Sequence, residues 1–215
     1  MKFVTYQKKY LNSCVELVRD TWSFHESFKN ANQLDILYKY YFLSCYNYSE
    51  HCELLIDEND TVRGVLFGSI EAETITRSVK YKFHEVALGI WIFLHVMLGR
   101  LGCRSTALKE ISALTETDML GEQYAEQFAS EINLFIVAKG LRGSGFGRAL
   151  MDRYVGFCKK NGLKSAFLWT DLDCSFSFYE KYGFRLHSTF YHHKLADTAT
   201  RKDNGLIFYL DIPLV

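Results

Sequence analysis

Between Glu131 and Asp171 the chain changes its hydrophobic period twice, and this limits the folds open to it. "EINLFIV", Glu131 to Val137, is apolar or β-branched almost throughout and predicts a strand covered on both faces. "GLRGSGFGR" follows, with four glycines in the eight residues Gly140 to Gly147. Leu150, Met151, Tyr154, Val155 and Cys158 then fall on one helical face, and Asn161 and Gly162 end that helix because both tolerate the left-handed backbone. "KSAFLWTD", Lys164 to Asp171, is the next strand. Strand, tight turn, helix, strand is one βαβ unit.

The start of a helix exposes N–H groups without intrahelical partners, and its dipole adds partial positive charge there. Glycines remove the Cβ atoms that would hold a ligand off, so the turn suits phosphate oxygens. Its spacing excludes several phosphate binders. A dinucleotide fingerprint or a kinase glycine loop starting at Gly143 needs a small residue where Arg148 stands. A P-loop starting at Gly140 needs Lys where Phe146 stands.

The rest of the chain supports a mixed α/β domain. "KFVTY" predicts a short strand with Phe3 and Val4 inward, and helical spacing runs over Asn12 to Trp22 and again over Gln33 to Cys45. Between those helices, "WSFHESF", Trp22 to Phe28, reads as an aromatic plug over the core or as a substrate contact. Cys52 to Ile70 predicts an antiparallel hairpin turning at Glu58, Asn59 and Asp60. Glu71 to Ser130 reads as a helical insertion between strands. A short helix over Cys174 to Tyr182, then strands around Leu186 to Lys194 and Leu206 to Asp211, close the chain. With 215 residues, 48% of them hydrophobic, one enlarged domain over 1–215 is expected, with its insertion at about 71–130.

Charge narrows the partners. Twenty-five Lys/Arg balance 25 Asp/Glu, so no net field draws the chain to nucleic acid or an anionic membrane. From Asn133 onward 12 Lys/Arg face 7 Asp/Glu, which suits an anionic ligand near the glycine turn. The six cysteines form no CxxC pair and no zinc pattern with His, so no metal is expected, and reduced thiols with no secretory signal point to the cytoplasm. The apolar run "VALGIWIFLHVMLG", Val86 to Gly99, is too short for the roughly 20 residues of a membrane span. It predicts a helix buried on most sides, since it lacks the strongly polar face of an interfacial helix.

Arg142, Gly145 and Gly147 fit R/Q-x-x-G-x-G/A, and "SFSFYEKYGF" supplies F-Y-x-x-x-G-F at Phe178, Tyr179, Gly183 and Phe184. In these two motifs the sequence resembles the GNAT superfamily of acyl-CoA-dependent N-acyltransferases. The likeness is close from Glu131 to Asp211 and holds only in outline before that. It implies a central, mostly antiparallel sheet with a splayed parallel strand pair, flanked by helices, and with the helical insertion between strands 3 and 4. It departs from the family at Lys139, where many members have Pro, and at Leu172, where many have Asn.

The resemblance further implies direct attack of an amine on acetyl-CoA, without a metal. Arg142, Gly143, Ser144, Gly145, Phe146, Gly147 and Arg148 would take the pyrophosphate of coenzyme A. Phe135, Ile136 and Val137 would lie along the cosubstrate, with the Phe135 N–H on the thioester carbonyl and Val137 pairing with pantetheine. Tyr179 matches the family's usual general acid. Its phenol, with an ordinary pKa near ~10, stays protonated beside a thiol whose pKa is about 8.5.

For the base, strand alternation puts Glu131 on the face of Asn133, Phe135 and Val137, and the histone acetyltransferase branch has a Glu at the corresponding place. A solvated carboxylate at a strand end is the other reading. Asp171 and Asp173 read as caps, and His192 and His193, placed in a strand, receive no role. The expected activity is acetyl transfer to a primary amine of a small molecule or peptide, in a monomer or a homodimer. The alternatives are a non-catalytic acyl-CoA-binding sensor or partner module, and a membrane-associated acyltransferase that uses the apolar insertion.

Overall fold

The computed structural model describes residues 1–28, 30–71, 75–195 and 202–213. Its strands are β1 (Lys2–Thr5), β2 (His51–Ile56), β3 (Val62–Ile70), β4 (Ser130–Val137), β5 (Ser165–Asp171), β6 (Arg185–Phe190) and β7 (Gly205–Asp211). Six α-helices accompany them among the described residues: α1 (Leu11–Thr21), α2 (Asp35–Asn47), α3 (Ile75–Met97), α4 (Arg104–Gly121), α5 (Phe146–Lys160) and α6 (Ser177–Tyr182). The strands form one mixed seven-stranded sheet in the order β1-β2-β3-β4-β5-β7-β6. β4 and β5 are the parallel pair, with Glu131 opposite Phe167, while β1-β2, β2-β3, β5-β7 and β6-β7 are antiparallel. The βαβ unit and the helical insertion between β3 and β4 are therefore as the sequence predicts.

The chain divides into two compact units: Met1–Ser69, Glu73–Ile111 and Asn133–Tyr154 form the first, and Ile70–Ala72, Ser112–Ile132 and Val155–Val215 the second.

In the first unit α1 buries Cys14, Val15, Leu17 and Val18 in a core shared with Tyr38 and Phe42 of α2 and Leu54, Val65 and Phe67 of the hairpin. Trp22 and Phe24 pack against that core, with the Phe24 ring 5.2 Å from that of Tyr38, so Trp22 to Phe28 is a plug. The hairpin turn is organised by Asp57, whose Oδ1 accepts the N–H groups of Asn59 and Thr61, while Asp60 takes the left-handed backbone at φ 58°. Adjacent strand residues point to opposite faces, yet Phe3 and Val4 are both half-buried because both faces of β1 are covered. Val4 joins the α1/α2 core, and Phe3 lies under the Arg153 guanidinium of α5.

That second face is built for close approach. A Cβ on Gly64 would lie 3.1 Å from Leu150 Cδ1 and 3.3 Å from Ile136 O, so the glycine lets α5 settle against the sheet. Arg153 Nε donates to Glu53 Oε1 at 2.5 Å and fixes the middle of α5. Burial first, and the nearby Arg153 second, push the neighbouring His51 imidazole down to about 4.

The apolar run Val86 to Gly99 lies in α3 as far as Met97 and then turns, and this helix is not buried on most sides, contrary to the sequence reading. Ile92 and Val96 are buried, Tyr81 donates to Glu50, and Trp91 stacks edge-on with His95 beneath Lys39 of α2. Large apolar side chains on its other face are exposed, Phe83 at 71% and Ile90 at 56% among them. Apolar residues encircle this helix, whereas the chain supplies a packing partner along one side only. No helix of the described residues is long and apolar enough to cross a membrane.

In the second unit Phe167, Phe190 and Ile207 form a small core against Trp169, Tyr124 and Phe128. A Cβ on Gly121, at the end of α4, would meet the Trp169 indole at 2.2 Å, and one on Gly205 would meet the Phe190 ring at 2.3 Å, so both positions require glycine. The strand expected to reach Lys194 ends at Phe190, so His192 and His193 lie beyond β6. Gly205, the first residue of β7, already pairs with Phe190, and the side chain of Asn204 replaces the ladder beyond it. Asn204 Oδ1 accepts the His192 N–H, and Asn204 Nδ2 donates to His192 O, each at 2.9 Å. The helix expected from Cys174 begins at Ser177, because Asp171 Oδ1 accepts the Cys174 N–H at 3.0 Å and closes a turn first. It ends at Gly183, φ 122°, as its sequence predicts.

Candidate functional site

The glycine turn forms as a single 3-10 turn, Lys139–Leu141, followed by an exposed loop that runs into α5. Gly143 and Gly145 hold φ values of 81° and 85°, which side-chain-bearing residues adopt only under strain, whereas Gly140 and Gly147 do not require glycine for that reason. The Arg142 and Ser144 N–H groups donate back to Lys139 O and Leu141 O at 3.3 Å each. The loop is thus drawn tight by its own backbone. The Ala149 N–H reaches Gly145 O and makes Gly145 the residue from which α5 starts. The N–H groups of Phe146, Gly147 and Arg148 form the first turn, where no intrahelical acceptor exists. The Arg142 side chain turns back, its Nε donating to Val137 O at 3.2 Å, and ties the loop to the end of β4.

β4 shows the expected alternation from Ile132 to Val137. Ile132, Leu134 and Ile136 are buried, while Asn133, Phe135 and Val137 are half-buried. The Ala138 N–H donates to Arg63 O of β3. Since successive N–H groups leave a strand on opposite edges, those of Phe135 and Val137 point away from β3. Phe135, Ile136, Val137 and Arg142 to Arg148 all belong to the first unit; Glu131 and Tyr179 belong to the second.

Glu131 is buried and is not the solvated carboxylate of a strand end. Burial pushes its carboxyl well above the ordinary range, and the charges of Glu122, Glu71 and Asp118 push it further. Burial also lifts the Asp118 carboxyl to about 7. Sequence reasoning missed these three companions. A signal existed in Asp118 and Glu122, two acids four residues apart, one helical turn, with no basic residue between them.

Tyr179 sits in α6 among the rings of Phe178, Phe184 and Phe208. Burial raises its phenol pKa, and Cys174 and Asp171 add to the rise, so the hydroxyl keeps its proton throughout the neutral range. Asp171 organises the turn before α6, and burial with Asp171 pushes the Cys174 thiol up to about 11. His192 is structural, its Nδ1 standing 2.9 Å from Thr117 Oγ1 in α4. The described residues contain no group of three or more His, Cys, Asp or Glu that could hold a metal ion.

Residues 115–195 match the family model for the acetyltransferase (GNAT) domain, an interval that contains β4, the glycine loop, α5, β5 and α6. No curated protein matches the chain. Solved structures share its fold at low identity. A GNAT-family acetyltransferase from Staphylococcus aureus is 14% identical, with 99% of each chain covered and a TM-score of 0.53. The ribosomal-protein-S18-alanine N-acetyltransferase of Escherichia coli is 12% identical, with 100% of this chain and 95% of that one covered and a TM-score of 0.54. An aminoglycoside 6'-N-acetyltransferase complexed with coenzyme A is 11% identical, covering 99% of this chain and 98% of its own, with a TM-score of 0.54. The two sequence motifs, the matched interval and the shared fold agree: residues 115–195 are similar to a GNAT acetyltransferase domain, and the chain has the fold of such proteins.

Proposed function

We propose that the protein is an N-acetyltransferase that moves an acetyl group from acetyl-CoA to a primary amine of a small molecule or peptide. One observation carries this reading: inside the matched domain, a loop with Gly143 and Gly145 in the left-handed region opens the first turn of α5. The N–H groups of the first turn of α5 and the helix dipole favour a pyrophosphate there, each contact contributing ~0.3–2 kcal/mol. Gly143, Gly145, Phe146, Gly147 and Arg148 supply the N–H groups. Arg142 and Ser144, whose own N–H groups turn inward, shape the loop and contribute their side chains.

Acetyl-CoA supplies an activated thioester. The Phe135 N–H, directed away from β3, takes the thioester carbonyl, and the Val137 N–H on the same edge pairs with pantetheine. Glu131 in its ionised form accepts the proton that the attacking amine loses. Tyr179 stabilises the departing thiolate by donating a hydrogen bond to it, and the raised pKa of that phenol keeps the proton on the hydroxyl. The carboxyls of Glu71, Asp118 and Glu122 around Glu131 favour an acceptor that arrives as an ammonium ion. The similar folds named above include enzymes named for a ribosomal protein alanine and for an aminoglycoside, so the scaffold accommodates both acceptor classes.

The test is release of coenzyme A thiol from acetyl-CoA in the presence of a panel of polyamines, aminoglycosides and peptides with free N-termini. Amine-dependent release with an acetylated product seen by mass spectrometry supports the enzyme. Saturable acetyl-CoA binding with no turnover on any amine supports the non-catalytic acyl-CoA-binding module instead.

A further inference from the structure

On the outer side of α3, Val79, Phe83, Val86, Ile90, Phe93 and Leu94, with Leu98 in the turn just after it, are all exposed, at 49% or more each. The intervals from Val79 to Phe93 run four, three, four, three, the alternation by which one helix presents a continuous seam to another. At roughly 100 Å² apiece, the seven side chains offer about 700 Å² per copy. Two copies would then cover about 1,400 Å², inside the roughly 1,200–2,000 Å² of a specific interface. Soluble monomers seldom leave so large a contiguous apolar patch open.

We propose that this face of α3 pairs with the same face of a second copy of the chain, the two helices lying antiparallel across a twofold axis at Gly89. The midpoint of the stripe falls beside Gly89, which shares a face with Val86 and Phe93. A Cβ built on Gly89 would meet nothing within 4 Å, so the chain's own packing does not require glycine in the middle of this helix. At a twofold axis a residue meets its own copy, and glycine lets two helix backbones come closest there. Antiparallel pairing also separates the exposed Lys82 from its counterpart, whereas parallel pairing would set the two ammonium groups side by side. The formal net charge of zero means that two copies do not repel and that an anionic lipid surface exerts no general pull.

The test is sedimentation equilibrium of the full chain at micromolar concentration, with folding checked by circular dichroism. The wild type should give about twice 25.0 kDa, and Val86→Glu/Ile90→Glu, which alters only exposed positions, should be folded and give 25.0 kDa. In a Cys103→Ser background, which removes the exposed native thiol, Gly89→Cys should form an oxidised dimer. Leu98→Cys should not, because the two copies of residue 98 would stand about 27 Å apart. A monomeric wild type at 100 μM, a dimer that survives Val86→Glu/Ile90→Glu, or cross-linking through Leu98→Cys would overturn the pairing. So would a monomer that floats with phosphatidylcholine vesicles, which would assign the stripe to lipid.

Discussion

Glu131 stands opposite Phe167 at the point where β4 and β5 pair in parallel, and its carboxyl lies out of water with Glu122, Glu71 and Asp118 as like-charged company. A base in that position works only when ionised, so kcat/KM should rise with pH along a limb displaced above the ordinary carboxylate range. Glu131→Gln should remove that limb and lower turnover by ~10²–10⁴-fold, the usual contribution of a positioned base. Asp118→Asn takes one negative neighbour away and should move the limb to lower pH. A pH–rate series on the three proteins checks this; a limb unchanged in Glu131→Gln would belong to the amine substrate instead.

Tyr179 should separate chemistry from binding. Tyr179→Phe keeps the ring that packs against Phe184 and Phe208 and removes only the hydroxyl. Turnover should fall by ~10²-fold or more while the Kd for coenzyme A, measured by calorimetry, stays within a factor of about two. Turnover equal to the wild type would leave the phenol a packing group.

The glycines of the loop are not equivalent. Gly145 is at φ 85°, so Gly145→Ala forces a side chain into a region that costs about 1–2 kcal/mol and tilts the N–H groups at the start of α5. Gly140 has no positive φ, and a Cβ there meets nothing within 4 Å. The KM for acetyl-CoA should therefore rise about tenfold in Gly145→Ala and stay near the wild-type value in Gly140→Ala. Equal effects in the two variants would place the pyrophosphate elsewhere.

Where local chemistry decides the outcome, the sequence was legible. Hydrophobic period, glycine spacing and turn residues place β4, the loop, α5 and β5 within a residue or two, because each depends on neighbours along the chain. The aromatic Trp22 to Phe28 segment is ambiguous by sequence and becomes core only because Tyr38 and Tyr41 of α2 lie beneath it. α3 failed for the converse reason: its composition announces burial, but burial depends on what else the chain can bring to its outer face. Strand alternation singles out Glu131 as a candidate base. Its companions Glu71, Asp118 and Glu122 come from the far ends of the insertion, and no periodicity relates them to β4. The end of β6 was missed because one side chain, Asn204, does work that a strand neighbour usually does.

The half-buried acid Asp118 also governs stability. Its carboxyl is pushed up from an ordinary 3.8 to about 7, so between those values the folded chain holds a proton that the unfolded chain has lost. Stability should therefore fall as pH rises from about 4 to 7, by at most about 4 kcal/mol for this group at ~1.4 kcal/mol per unit. His51 acts in the opposite sense. Held down to about 4 from 6.5, it resists protonation in the folded state and removes stability as pH falls through that window. Between about 4 and 6.5 the two slopes oppose each other and largely cancel, so the loss due to Asp118 shows mainly above that range. Asp118→Asn removes this group's share of the alkaline loss, leaving that of the likewise raised Glu131 and the acid loss in place, so its Tm should exceed that of the wild type by several degrees at pH 8 and match it near pH 4. Thermal melts across that range measure the difference directly, and an equal shift at both ends would mean that Asp118 acts through packing rather than charge.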